Sequence, residues 1–158
     1  MKRQKGFSLI ELLIVVAIIL IIAAIAIPNL LRSRMAANEA SAVGSLRTIN
    51  TAEVTYATSY PTEGFAAALT NLGGAAPCGP ATTVTACLID EVLSATGKKS
   101  GYSFLAPGVA PIPRVSYTAT GTPTLVGSSG QRSFFTDQSG VIRYDTTGAV
   151  ATAGSPAL

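Results

Sequence analysis

The chain has 158 residues, a formal net charge of +3, and charged side chains make up only 12% of it. It contains no histidine, which excludes Ser-His-Asp and Cys-His catalysis and every histidine-containing zinc site. The basic balance sits at the start: without Lys2, Arg3 and Lys5, eight basic residues face eight acidic ones, so nucleic acid is not an expected partner.

The first element is apolar. Lys2, Arg3 and Lys5 precede Gly6, and from Phe7 to Ile27 the only charged residue is Glu11. As a helix this stretch is roughly 31 Å long, about one hydrocarbon thickness. A membrane-spanning helix with its basic end inside is expected. Glu11 is the anomaly, because an ionisable group at membrane depth costs a few kcal/mol and needs a partner. Cleavage after Gly6 would supply one, a free α-amino group on Phe7, four residues away, with a pKa of about 7.7–8.0. Ala24-Ile25-Ala26 also reads as a small-x-small secretory cleavage site, but the apolar run is longer than such signals use and carries Glu11.

The stretch Gly6-Phe7-Ser8-Leu9-Ile10-Glu11-Leu12 resembles the class III signal of type IV pilins and of type II secretion pseudopilins. The resemblance implies cleavage between Gly6 and Phe7 by a prepilin peptidase and N-methylation of Phe7, which keeps the amine's charge. It also implies that Glu11 of one subunit and the Phe7 amine of another set subunit register in a filament. The precursor would sit in the bacterial inner membrane. The assembled product would be an extracellular pilus serving adhesion, motility or related surface roles. The alternative within the resemblance is a pseudopilin in a short periplasmic pseudopilus for protein export. Partners implied are further copies of the chain in a helical filament, the peptidase, and the pilus or secretion assembly machinery. No enzymatic role and no cofactor is expected.

Pro28 follows the apolar run and is expected to kink or locally open the helix, since it lacks an N–H and crowds the carbonyl four residues back. The helix is expected to continue, because Asn29 to Tyr60 holds no proline and one glycine. Met35, Ala42, Leu46, Ile49, Tyr56 and Tyr60 recur at helical spacing as a core seam. Arg32, Arg34, Glu39, Arg47 and Glu53 read as lying mostly off it. Pro61 stops the helix.

Residues 61–100 read as a connector with short helical turns near Phe65–Leu69 and Asp90–Ala95. Asp90 and Glu91 resemble paired carboxylates, but neighbouring residues point apart on a helix, so a solvated helix start is expected. In an exported domain Cys78 and Cys87 are expected to form a disulfide rather than remain two free thiols. That ring would contribute roughly 2–3 kcal/mol.

From Gly101 the period becomes two, in Tyr102-Ser103-Phe104, Val115 to Thr120, Ser133 to Thr136 and Val141 to Tyr144. Asp137-Gln138-Ser139-Gly140 reads as a hairpin loop. The stretch from Gly130 to Asp145 resembles the last hairpin of some pilin-like proteins. Asp137 and Asp145 lie outside any dense run of oxygen ligands, so no metal is expected. The tail from Thr146 reads as loosely held. Together these give an α+β fold in which a long N-terminal helix packs against a small four-stranded antiparallel sheet. The expected divisions are a leader at 1–6, a helix at 7–60 with its membrane or assembly half at 7–27, and a head at 61–158.

Overall fold

The structure, a computed structural model, describes residues 7–158, so the expected leader lies outside the described residues. Helix α1 runs Leu9–Ser59 with Pro28 inside it. The chain divides into two compact units, one ending at Arg34 and the other spanning Met35–Leu158. In the first unit the large apolar side chains from Phe7 to Leu31 are all exposed. The helix ends where expected, since the residue before Pro61 is sterically pushed out of the α region.

In the second unit α1 lies on a sheet. Ala42, Leu46, Ile49 and Tyr56 are buried on the seam. Glu39 and Glu53, expected off it, are buried in it as well, 8% and 0% exposed. The seam runs through Glu39, Ala42, Leu46, Ile49, Glu53 and Tyr56, with Ser45 and Ala52 buried beside it, and its alternating spacings of three and four keep one helix face inward. The spacing had room for both carboxylates; the expectation erred by equating charge with exposure.

The sheet has five antiparallel strands in sequential order, not four: β1 (Lys98–Lys99), β2 (Tyr102–Leu105), β3 (Thr118–Pro123), β4 (Ser133–Asp137) and β5 (Arg143–Asp145). Strand β1 is two residues long and has no apolar alternation to betray it. Strand β3 begins at Thr118 rather than Val115, because Arg114 spends its backbone groups on Glu63 and Phe65 instead of on a ladder. Two short helices, α2 (Leu69–Leu72) and α3 (Glu91–Thr96), fill the connector. Helix α2 starts later than expected because the Ala66 N–H goes to Glu53 and the Ala68 N–H to the Asn71 side chain.

Tyr102, Phe104, Ala119, Phe134 and Thr136 are buried on the helix-facing side of the sheet. Gly121 pairs with Phe104 on one side and Phe134 on the other. A Cβ there would lie 3.0 Å from the Phe104 ring and 3.7 Å from a Leu46 methyl, so the absence of a side chain lets both approach. The tail departs from expectation. Ser133 donates its hydroxyl to the Ala149 carbonyl and accepts the Ala151 N–H. Tyr144 N–H and Leu158 N–H bond to Pro156 and Ile142 carbonyls, and Ala151 is buried. Thus the tail closes the second face of β4 and the outer edge of β5.

Polar bonds at the seam fix the helix on the sheet. Glu39 Oε1 accepts the backbone N–H groups of Gln131 (2.9 Å) and Arg132 (3.1 Å), and Oε2 accepts from Arg132 Nε at 2.7 Å. The Arg132 guanidinium also lies 5.6 Å from the Phe134 ring centroid and 5.7 Å from that of Tyr144. Asn38 donates to the Ser129 carbonyl at 2.8 Å, and Asn50 links Thr136 to the Tyr117 hydroxyl. Burial disfavours the Glu39 carboxylate, but two backbone donors and Arg132 outweigh it, so its pKa lies below the usual 4.5. The resulting stabilisation is present above about pH 4.5 and is lost as pH falls through the lowered value.

Two predictions follow from this packing. Leu46→Ala is expected to destabilise the head by about 2–5 kcal/mol, read by chemical unfolding of the full chain in detergent. Glu39→Gln is expected to cost about 1–3 kcal/mol at pH 7, with the difference from wild type shrinking as pH falls through the lowered pKa of Glu39. Equal losses at pH 7 and pH 3 would show that the carboxylate's charge contributes nothing.

Candidate functional site

The chemistry foreseen for this chain gathers at the start of α1. Gly6 lies outside the described residues, so the predicted cleavage bond does too. Phe7 precedes the helix and is 77% exposed. The Ser8 carbonyl accepts the Leu12 N–H at 3.2 Å, which makes Ser8 the residue at the helix mouth. Three residues on, Glu11 Oε2 accepts the Ser8 backbone N–H at 2.9 Å. This is one half of a capping box, in which a glutamate reaches back to the backbone of the first residue. The pattern Ser8-Leu9-Ile10-Glu11 carries that signature, which the reading of Glu11 as an anomaly overlooked. A carboxylate in the first turn also faces the positive end of the helix dipole. The structure therefore joins Glu11 to Ser8 and not to Phe7, whose nitrogen here is a peptide N–H.

Beyond Glu11, α1 offers no polar side chain until Asn29. The helix is long and apolar enough to cross a membrane, and none of its most apolar window is buried. A surface of exposed Leu, Ile and Val has lipid or other apolar helices as its favourable surroundings. Arg32 and Arg34 follow Pro28 and are exposed. The first unit can thus bury apolar area all round its helix, and its only carboxylate sits at the end where a nearby amine would be neutralised.

The remaining sequence candidates lie in the head. Cys78 and Cys87 form a disulfide with Cα atoms 6.1 Å apart. Asp90 caps α3 by accepting the Leu93 N–H and pairs with Lys99 at 3.1 Å, while Glu91 accepts the Ala76 N–H. The two neighbouring acids are thus used separately, as helix-start residues. Asp137 accepts the Ser139 N–H, and Asp145 accepts both the N–H and the hydroxyl of Thr147. The Thr147 bonds hold the Asp145 carboxyl below its usual range. Both aspartates therefore organise turns. Among the described residues no three His, Cys, Asp or Glu side chains group as a metal-binding set.

Comparison with known proteins places the family match within the first unit. Residues 1–27 match the family described as the prokaryotic N-terminal methylation motif. The chain is similar to the type IV wide pilus major component of Thermus thermophilus, 64% identical over 39 residues, which are 25% of this chain and 30% of that protein. It is similar to the type IV major pilin protein of Myxococcus xanthus, 46% identical over 54 residues, 34% of this chain and 24% of the relative. A fimbrial protein of Pseudomonas aeruginosa is 79% identical over 29 residues, 18% of this chain and 19% of that one. The matched stretches therefore span less than a third of these relatives' length. No solved structure matches the chain.

The head's connector gives a test of its own. Replacing Cys78 and Cys87 together by serine is expected to lower head stability by about 2–3 kcal/mol, the loop-closure contribution of so small a ring. Thermal unfolding with and without reductant checks it, and the double variant should be indifferent to reductant.

Proposed function

We propose that this chain, whose N-terminal segment is that of the type IV pilin family, is a structural subunit of a type IV pilus. The observation that carries the reading is the pairing of the methylation motif at residues 1–27 with an exposed apolar first part of α1, in which Glu11 is the only carboxylate up to Ile27. The relatives named as major pilus components support a pilus subunit, and a secretion pseudopilus is the second reading.

The mechanism is assembly. The precursor rests in the inner membrane with Lys2, Arg3 and Lys5 on the cytoplasmic side, following the bias of basic residues. A prepilin peptidase cuts between Gly6 and Phe7, and the new Phe7 amine is methylated with its charge retained. Subunits then leave the bilayer and pack residues 7–27 together, trading lipid contacts for helix contacts of similar apolar character. Glu11, already held at the helix mouth by Ser8, faces the amine of a neighbouring copy. Pairing compensates both charges at once, and an offset subunit would leave both bare at a cost of a few kcal/mol each. Pro28 is the point where the helix bends or opens during that transfer, since no N–H is available there. The head then forms the outside of the fibre, with the assembly machinery and further copies as its partners.

Intact-mass and N-terminal analysis of protein recovered from sheared surface fibres tests this. The expected chain starts at Phe7 and carries one extra methyl group. A chain starting at Met1 or Ile27 would overturn the reading, and a processed chain confined to the envelope would favour the pseudopilus. Glu11→Gln is expected to insert in the membrane and yield no fibres, and fibres at normal yield would remove Glu11 from the register role.

A further inference from the structure

Subunit assembly through residues 7–27 makes no use of Glu53. This carboxyl group is fully buried on the face of α1 that meets the chain after the helix. Its Oε2 accepts the Ala66 N–H at 2.8 Å, while Oε1 has no hydrogen-bond partner. The donors around it are committed elsewhere. From α1, the Tyr56 hydroxyl donates to the Thr83 carbonyl at 2.6 Å, and Tyr60 lies against the Tyr56 ring. From the later chain, the Tyr117 hydroxyl donates to Asn50 Oδ1 at 2.9 Å. Arg114 attracts Glu53 only through space, because its guanidinium is bonded to Glu63 at 3.4 Å. Tyr56, Arg114 and Tyr117 are titratable groups that feel its charge, with Tyr60 and Glu63 beside Tyr56, and none is bonded to it.

The Ala66 N–H belongs to a pair of segments zipped to each other. Phe65 N–H donates to the Arg114 carbonyl, Arg114 N–H to Glu63, and Gly108 N–H to Ala67, at 3.0, 2.8 and 3.2 Å. Gly64, at φ +74°, bridges Arg114, and a Cβ there would fall 2.1 Å from the Arg114 carbonyl oxygen. The two backbones are therefore in close contact, and the Glu53–Ala66 bond ties the pair to α1.

We infer that Glu53 is a proton-operated latch, which when neutral holds segments 60–67 and 107–117 on α1 and when ionised releases them. An ionised carboxylate in that position would be buried with one hydrogen bond and no contacting cation, an arrangement that proteins relieve by opening. Burial raises the Glu53 pKa to about 7, against the opposing pull of the Ala66 N–H and Arg114. With the folded value above the unfolded 4.5, the latch is at full strength below about pH 4.5. It weakens as pH rises and has lost its proton-linked strength above about 7. The released pair carries the exposed Val109, Ile112 and Val115, so a rise in pH would loosen an apolar stretch of the head surface. This holds whether or not the chain assembles into pili.

Hydrogen exchange of the full chain in detergent, from pH 5 to 8 and corrected for intrinsic rates, tests the latch. The protection of the Phe65, Ala66 and Arg114 amides relative to Phe134 is expected to fall about tenfold per pH unit up to 7 and then level. Glu53→Gln should flatten this dependence, and Glu63→Gln should leave it intact. A flat wild-type profile, or a slope surviving in Glu53→Gln, overturns the proposal. Should that variant not fold, 13C-labelled glutamate in the wild-type chain reads the group directly. One glutamate carboxyl titrating near 7 supports the latch, and no glutamate titrating above the usual 4.5 overturns it.

Discussion

The head rests on one strip of one helix. From Glu39 to Tyr56, α1 presents a single inward face to the sheet. An antiparallel sheet of four short strands and a two-residue edge cannot bury its own apolar face. Tyr102, Phe104, Phe134 and Ala119 find their cover in Ala42, Leu46 and Ile49. Gly121 thins the sheet where Leu46 comes nearest. Since helix stability in a globular setting comes mostly from such packing, the sheet in turn orders this half of the helix.

Two carboxylates share that strip with opposite outcomes. Glu39 meets two backbone donors and an arginine held over two aromatic rings, so its charge is favoured where it lies. Glu53, about four helical turns along the same face, meets one backbone donor and no contacting cation. The helix repeat is the same at both positions, and only the donors supplied by the opposing chain differ. Burial by itself therefore does not set the sign of a carboxylate's contribution; the local supply of donors does.

Helical period, helix end, disulfide and most of the sheet were legible because each rests on local pattern. Pro61 ends α1 by sterics within the dipeptide, and the Tyr102 and Phe104 alternation needs no partner to be seen. Misreadings arose where a residue's role depends on something distant in sequence. Glu39 is inside because of Gln131 and Arg132, and Val115 is outside a strand because Arg114 bonds to Glu63 and Phe65. The tail is held because Ser133 takes up Ala149 and Ala151. The Ser8–Glu11 cap was local and could have been found, and it was hidden only by the unusual setting of a charge in an apolar run.

The two margins of the sheet bear on how such heads tolerate crowding. One margin is the two-residue lysine strand β1, and the other is β5, whose outward backbone groups are taken by Pro156 and by a bridge from Arg143 to Ala157. Short, charged or occupied margins are how natural sheets avoid adding strands from neighbours. Where copies of this head crowd together, as they would in the fibre proposed above, an open margin would invite continuous cross-molecular ribbons. With both margins blunted, contacts between heads are left to side chains, which can be remodelled by substitution without threatening the backbone pairing that defines each subunit.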